Sequence, residues 1–279
     1  MLKSSPHPDN VQAFVARCLV DPPFLSAAMQ NDDGSGRGAI LFDRSELDRL
    51  ALFQAFIVKV KHNGVRDVLP ITFRMLAALG EELAFYRFHA AEYLAIRAAG
   101  PLPLQRQVQL MTDSLRRYLG GSKATAQRAL SDVVTHELTI WRMLSDQRVH
   151  DYRVGHDVPA WLGRMKIKRY TTDIARVAKA LTDGTFDPTR DADVPDLAVA
   201  YWLPRGGSSV DSFEIDELTA TLFSMTDGRK TLDTIADELA AIGLDQIDIA
   251  DVRRFFDELA ERGFVASCAG VKAPERLLA

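Results

Sequence analysis

SFEIDELTATLFSMTDGRKTLDTIADELAAIGLDQIDIADVRRFFDELAERGFV, residues 212–265, decides how this chain is read. Phe213 and Ile215 alternate with polar neighbours, the two-residue period of a half-buried strand. Leu218, Leu222 and Met225 then recur at three and four residues, the period of a helix with one buried face. Asp227-Gly228 stops that helix, and Thr231 caps the next, whose apolar set is Leu232, Ile235, Ala236 and Leu239. A third helix over 248–262 carries Ile249, Val252, Phe255, Phe256 and Leu259, and Gly263 ends it before Phe264-Val265-Ala266 returns as a short strand. A strand, three helices and a returning strand predict a small winged-helix unit.

Working outward, Met165–Tyr170 alternates as a strand and Leu197–Leu203 is an apolar strand ended by the turn signal Pro204-Arg205-Gly206-Gly207. A short helix is expected between them, from Asp173 to Leu181. With the strand at 210–215 they predict a three-stranded sheet with helices on one face. Before residue 145 the chain reads as helices: Asn10–Val20, Phe24–Met29, a run from Ser45 as N-cap through Val60, Ile71–Leu79 with Pro70 in its first turn, Glu81–Ala98, Leu104–Leu119 and Lys123–Leu144. Asn31–Gly38 is a loop by composition, without the Gly-Lys-Ser/Thr of a phosphate cradle. The pattern lapses between Ser145 and Ala160, which places a domain boundary near 150. The expectation is an α+β, mostly α chain: a helical partner-binding domain over 1–150 and a winged-helix peptide-recognition domain over 151–279.

The 279 residues are 47% hydrophobic and 26% charged, enough apolar material for real cores. A formal net charge of −4 weighs against a dedicated DNA binder, which carries a basic face. The N-terminus has no apolar core of signal-peptide type, no apolar run approaches the roughly 20 residues of a membrane span, and Cys18 and Cys268 read as separate reduced thiols. A cytoplasmic protein is the expectation.

Residues of chemical interest have plain alternatives. His89 and Glu92, three apart on a helix, are either two metal ligands or a half-buried pair; no third ligand stands nearby. His150-Asp151 and His156-Asp157 are either metal ligands or, as favoured, polar linker, and His136-Glu137 could serve as acid and base on a helix, with no nucleophile or pocket to mark it. Trp141, Trp161 and Trp202 are packing anchors. With no Ser/His/Asp set, dinucleotide loop or Cys-x-x-Cys, the expectation is a chain with no metal, no cofactor and no active site of its own. Arg253-Arg254 beside Phe255-Phe256 has three readings: contacts to DNA, contacts to an acidic peptide strand, or a solvated helix edge balanced by Asp251, Asp257 and Glu258.

Two stretches carry resemblances. LTATLFSMTDGRKTLDTIADEL and DVRRFFDELAERGFV, with their order of elements, resemble the PqqD-like RiPP recognition element, which takes the leader of a ribosomally made precursor peptide as an added strand. HNGVRDVLPITFRMLAALGEE and AEYLAIRAAG are similar to the helical domain of the MbnC/TglI-like partner subunits, at Asn63, Val65, Arg66, Leu69, Pro70, Thr72, Leu76, Leu79, Gly80 and Tyr93. Together the two cover most of residues 45–265.

The resemblance implies a non-catalytic adaptor in a heterodimer with a TIM-barrel, multinuclear-iron oxidase. The iron resides in the partner, and in 3-thiaglutamate-like biosynthesis that partner excises the β-carbon of a cysteine at the carrier peptide's C-terminus. The leader is expected on Ser212, Phe213, Glu214 and Ile215 of the strand and on Val252, Arg253, Phe255, Phe256 and Leu259 of the helix, with one of the two phenylalanines as the groove floor. Residues 45–145 are expected to supply much of the contact with the oxidase through exposed aromatics such as Tyr86 or Tyr93; the alternative is that these aromatics all lie in the core. The rival class is a winged-helix transcription regulator, and a third is an enzyme whose site lies among the histidines.

Overall fold

A computed structural model of the chain describes residues 8–30, 42–97, 100–120, 125–146, 157–190 and 196–266. The loop expected at 31–38, the boundary near 150, His150, Asp151, His156 and Cys268 lie outside the described residues. The fold is α+β and mostly helical, at 65%, with one small antiparallel sheet. Among the described residues no helix is long and apolar enough to cross a membrane. Contacts divide the chain into two compact units: Met1–Glu137 with Ile174–Ala192, and Leu138–Asp173 with Asp193–Ala279. The segment 174–192, expected with the second domain, packs with the first unit.

The first unit holds α1 (Pro8–Val20), α2 (Pro22–Gln30), α3 (Arg44–Lys61), α4 (Asn63–Val68), α5 (Pro70–Ala78), α6 (Glu82–Arg97), α7 (Leu104–Leu119), the first half of α8 (Thr125–Ser145) and α9 (Ile174–Asp183). α3 starts where a side chain satisfies its free amides. Asp43, two residues before the expected Ser45, caps α3: its carboxylate accepts from the Glu46 amide at 2.8 Å while Glu46 accepts from the Asp43 amide at 2.8 Å. Asp43 wins because its side chain reaches the third amide of the helix, and Ser45 donates its hydroxyl to that same carboxylate.

Glu82, nearly buried, binds Lys59 and Arg66, each at 2.5 Å, which joins α3, α4 and α6. Tyr86 and Tyr93 are 0% and 4% exposed and stack in the core with Phe73, His62 and His89. Their expected exposure is therefore overturned. Large apolar side chains left outside include Leu52, Phe53, Phe56 and Val60, which share one side of α3, and Val20, Leu83, Phe88 and Leu104 elsewhere in the unit.

The second unit is organised on the sheet β1 (Gly163–Tyr170), β2 (Leu197–Pro204) and β3 (Asp211–Ile215), antiparallel and in that order. Ile167, Ala200 and Phe213 share one register row and hence one face. That face packs on α10 (Glu217–Met225), α11 (Leu232–Ala241) and α12 (Ile249–Glu261) through a core of Trp161, Trp202, Leu222, Phe223, Ile235, Leu239, Val252 and Phe256.

β2 is buried on both faces from Ala198 to Leu203, which its uninterrupted apolar run requires and which helices on one face alone do not account for. The helices are capped by Asp216, Thr231 and Asp248. Gly263, at φ 76°, turns the chain so that Val265 bridges Trp161. Gly163 cannot carry a side chain, because a Cβ there would lie 2.3 Å from the Leu203 carbonyl oxygen.

Candidate functional site

Among the described residues β3 pairs with β2 alone, so one side of its backbone lies at the sheet edge. Alternation turns Phe213 and Ile215 towards the helices and Ser212 and Glu214 to the exposed opposite side. α12 runs past this edge. Its residues Val252, Phe256 and Leu259 are buried, while Phe255, about 100° round the helix from Phe256, is only half-buried.

Between strand and helix lies a groove of about 370 Å³, lined by Phe213, Ile215, Thr219, Phe223, Phe255, Glu258, Leu259, Arg262 and Phe264. Its floor is aromatic: Phe223 and Phe255 have ring centroids 6.0 Å apart, and Phe213 and Phe264 are 5.9 Å apart. Phe255 in turn meets Phe256 edge-on at 5.2 Å, so the core phenylalanine supports the groove phenylalanine. Glu258 and Arg262 put one charge of each sign on the lining.

Of the residues expected to bind peptide, the groove gathers Phe213, Ile215, Phe255 and Leu259. Val252 and Phe256 belong to the core, each 0% exposed. Ser212 and Glu214 belong to the strand edge without lining the groove. Arg253 points elsewhere: its guanidinium binds the Asp157 carboxylate at 2.9 Å, and the Asp157 carbonyl accepts from the Leu232 amide at 3.0 Å. Arg254 lies 3.6 Å from Asp251 on the solvent side. The sequence reading missed Thr219, Phe223, Glu258, Arg262 and Phe264. Glu258 and Arg262 lie three and seven residues after Phe255, a helical stripe that extends the one already marked by the phenylalanine.

The histidine candidates fall inside the helical unit. His89 is 0% exposed, and its Nδ1 lies 2.9 Å from Ser114 Oγ, whose own proton goes to Glu92 at 2.8 Å. Since that hydroxyl proton is committed to the carboxylate, Nδ1–H of His89 is the donor in the first bond. Ser114 thus bridges the two residues whose spacing suggested a shared ion. Burial, then the charges of His62 and Arg117, pushes the His89 imidazole down to about 3, so the ring is neutral. Burial also lowers His136, to about 4.

Glu137, its neighbour, holds the start of α5: its carboxylate accepts from the amides of Ile71 and Thr72 at 2.6 and 2.9 Å. Burial raises its pKa while these bonds pull against that shift. Trp161 and Trp202 are core anchors, and Trp141 is half-buried. Among the described residues no three His, Cys, Asp or Glu side chains come together as a metal site.

No family model and no curated protein matches this chain. The site is read from its own chemistry: among the described residues, strand backbone paired on one side only, beside an apolar, aromatic floor with Glu258 and Arg262 on its rim.

Proposed function

We propose that this chain is a non-catalytic peptide-binding adaptor whose second unit is a winged-helix recognition element. The observation that carries the proposal is the placement of the aromatic groove against the edge of β3. An extended segment added to that edge satisfies the open N–H and C=O groups of the strand, and every second side chain of the segment drops onto Phe255, Phe213 and Leu259. Affinity then comes from backbone bonds and selectivity from the pockets between the rings.

By its resemblance to the MbnC/TglI-like partner subunits, the segment bound is the leader of a ribosomal precursor or carrier peptide. The chain presents that peptide to a multinuclear-iron oxidase in natural product biosynthesis of the 3-thiaglutamate kind. The iron and the excision chemistry belong to the partner, and this chain needs no cofactor. The exposed stripe Leu52, Phe53, Phe56 and Val60 on α3 is the surface offered to the oxidase, in place of the buried Tyr86 and Tyr93. Large exposed apolar side chains on one helix face suit a protein partner.

The rival regulator reading asks α12 to enter a DNA groove. Its exposed side carries Asp257, Glu258 and Glu261 as well as Arg253 and Arg254, and Arg253 already binds Asp157. The mixed charge supports the peptide reading. Titrating the chain with labelled leader peptide and, separately, with random duplex DNA distinguishes the two: micromolar or tighter peptide binding with only weak, salt-sensitive DNA binding is expected. Tight DNA binding without peptide affinity overturns the adaptor.

A further inference from the structure

The second edge of the sheet has the opposite chemistry. Along β1, Arg164, Lys166 and Lys168 fall on one face, and among the described residues β1 pairs on one side only, with β2. Lys166 and Lys168 are exposed, and the residues opposite them on β2, Tyr201 and Val199, are buried and uncharged. Arg142 of α8 adds a fourth cation. Partial desolvation first, then the charges of Lys168 and Arg142, holds the Lys166 ammonium below its ordinary value, with Arg164 acting the same way and Asp146 opposing. Arg164 has Asp146 Oδ2 at 3.9 Å, while its Nη1 makes no hydrogen bond. Glu214, on the same face, lies two strands away, about 10 Å by the spacing of strands.

We propose that this face of β1 is a docking site for an acidic polypeptide segment laid in extended form along the β1 edge. The cations repeat every second residue, roughly 6.7 Å apart along a strand. An extended peptide with an acid at every second position repeats at the same interval, so each carboxylate stands opposite a cation as a cross-strand pair. The open backbone edge takes a strand rather than a nucleic acid, and the net charge of −4 opposes a polyanion spread over the wider surface. The site is separate from the groove at β3 and does not depend on what fills it.

The test is fluorescence anisotropy of the full chain with a labelled dodecapeptide of alternating glutamate and threonine. A peptide of alternating glutamate and proline, which has the same charge but cannot pair as a strand, is the control. The expected result is that the threonine peptide binds at least about tenfold tighter than the proline peptide, because only it adds backbone bonds. Binding falls at least about tenfold in Lys166→Glu/Lys168→Glu and weakens in Arg142→Glu, which keeps β1 intact. It is retained in Phe255→Ala and in Arg169→Glu, the latter on the opposite sheet face. Three results overturn the proposal: no binding, meaning that the lysines only guard the edge; equal affinity for the two peptides; or an oligothymidylate of equal charge binding more tightly than the threonine peptide.

Discussion

Glu137 Oε2 lies 2.6 Å from Thr72 Oγ1 and 2.9 Å from the Thr72 amide, while Oε1 accepts from the Ile71 amide at 2.6 Å. Pro70 occupies the first position of α5 and has no N–H, so this one buried carboxylate serves the next two amides of a helix that has no side-chain cap of its own. Glu137→Gln replaces one acceptor oxygen with an NH₂ group facing a backbone N–H. A buried donor left unmet costs about 1–3 kcal/mol, so chemical denaturation should show a loss of that size. A change below about 0.5 kcal/mol would remove Glu137 from this role.

His89, buried, and His136, half-buried, steepen the acid limb of stability. His89 and His136 are held down to about 3 and about 4 because burial penalises their charged forms. A base with a depressed folded pKa contributes fully above its unfolded value of 6.5 and loses that contribution as pH falls towards the folded one. Below pH 6.5 each histidine steepens the loss by up to about 1.4 kcal/mol per pH unit. Urea melts of His89→Leu between pH 4 and 6.5 should show a shallower slope than the unmodified chain, whatever the absolute stability. An unchanged slope would mean that His89 is protonated in the fold.

Gly163 is fixed by its neighbours rather than by its backbone angles. A methyl group there would meet the Leu203 carbonyl at 2.3 Å and the Trp202 ring at 2.7 Å, and the carbonyl is held in the β1–β2 ladder. Gly163→Ala should destabilise the second unit by about 1–3 kcal/mol, as overpacking does, and thermal melting checks it.

What the residues announced in advance was local. Thr231 as a cap, Pro70 in a first turn and the alternation of Phe213 and Ile215 are consequences of a few neighbouring side chains, and each stands in the fold. Contacts between distant positions left no mark. Nothing near Arg253 points to Asp157, 96 residues away, and nothing near Glu137 points to Thr72. Tyr86 and Tyr93 failed for another reason: α6 is apolar around much of its surface, so which residues it buries depends on the helices packed against it. In α12 the adjacent Phe255 and Phe256 required that one leave the core, and only the packing of α10 and α11 decided which.

The exposed stripe of α3 gives the helical unit its own test. Leu52, Phe53, Phe56 and Val60 are 47–51% exposed, whereas Leu47, Ala51, Ala55 and Val58 hold the opposite face in the core. Phe53→Asp with Phe56→Asp should leave the melting temperature within a few degrees, since neither ring is buried. If the proposed oxidase docks here, the same pair should abolish co-purification with it, because a charge inserted into an apolar interface is left without a partner. Retained co-purification would move the docking surface elsewhere.

The two phenylalanines of α12 separate fold from function. Phe256 is 0% exposed among Val252, Leu259 and the helices α10 and α11, so Phe256→Ala should open a cavity and cost about 3–5 kcal/mol of stability. Phe255 lines the groove with Phe223 and Phe213 and is only half-buried, so Phe255→Ala should leave a folded unit at a fraction of that cost. Removing the groove floor should weaken binding of the proposed leader by about 1–3 kcal/mol, roughly fivefold to 150-fold in Kd. Arg262→Glu, on the same lining, should change affinity in a salt-dependent way if the leader is charged there, whereas Arg253→Glu should act on stability by breaking the bond to Asp157. Isothermal titration beside thermal melting of the four variants gives both quantities. Equal losses of binding and of stability in Phe255→Ala would place that ring in the core and remove the groove as the binding site.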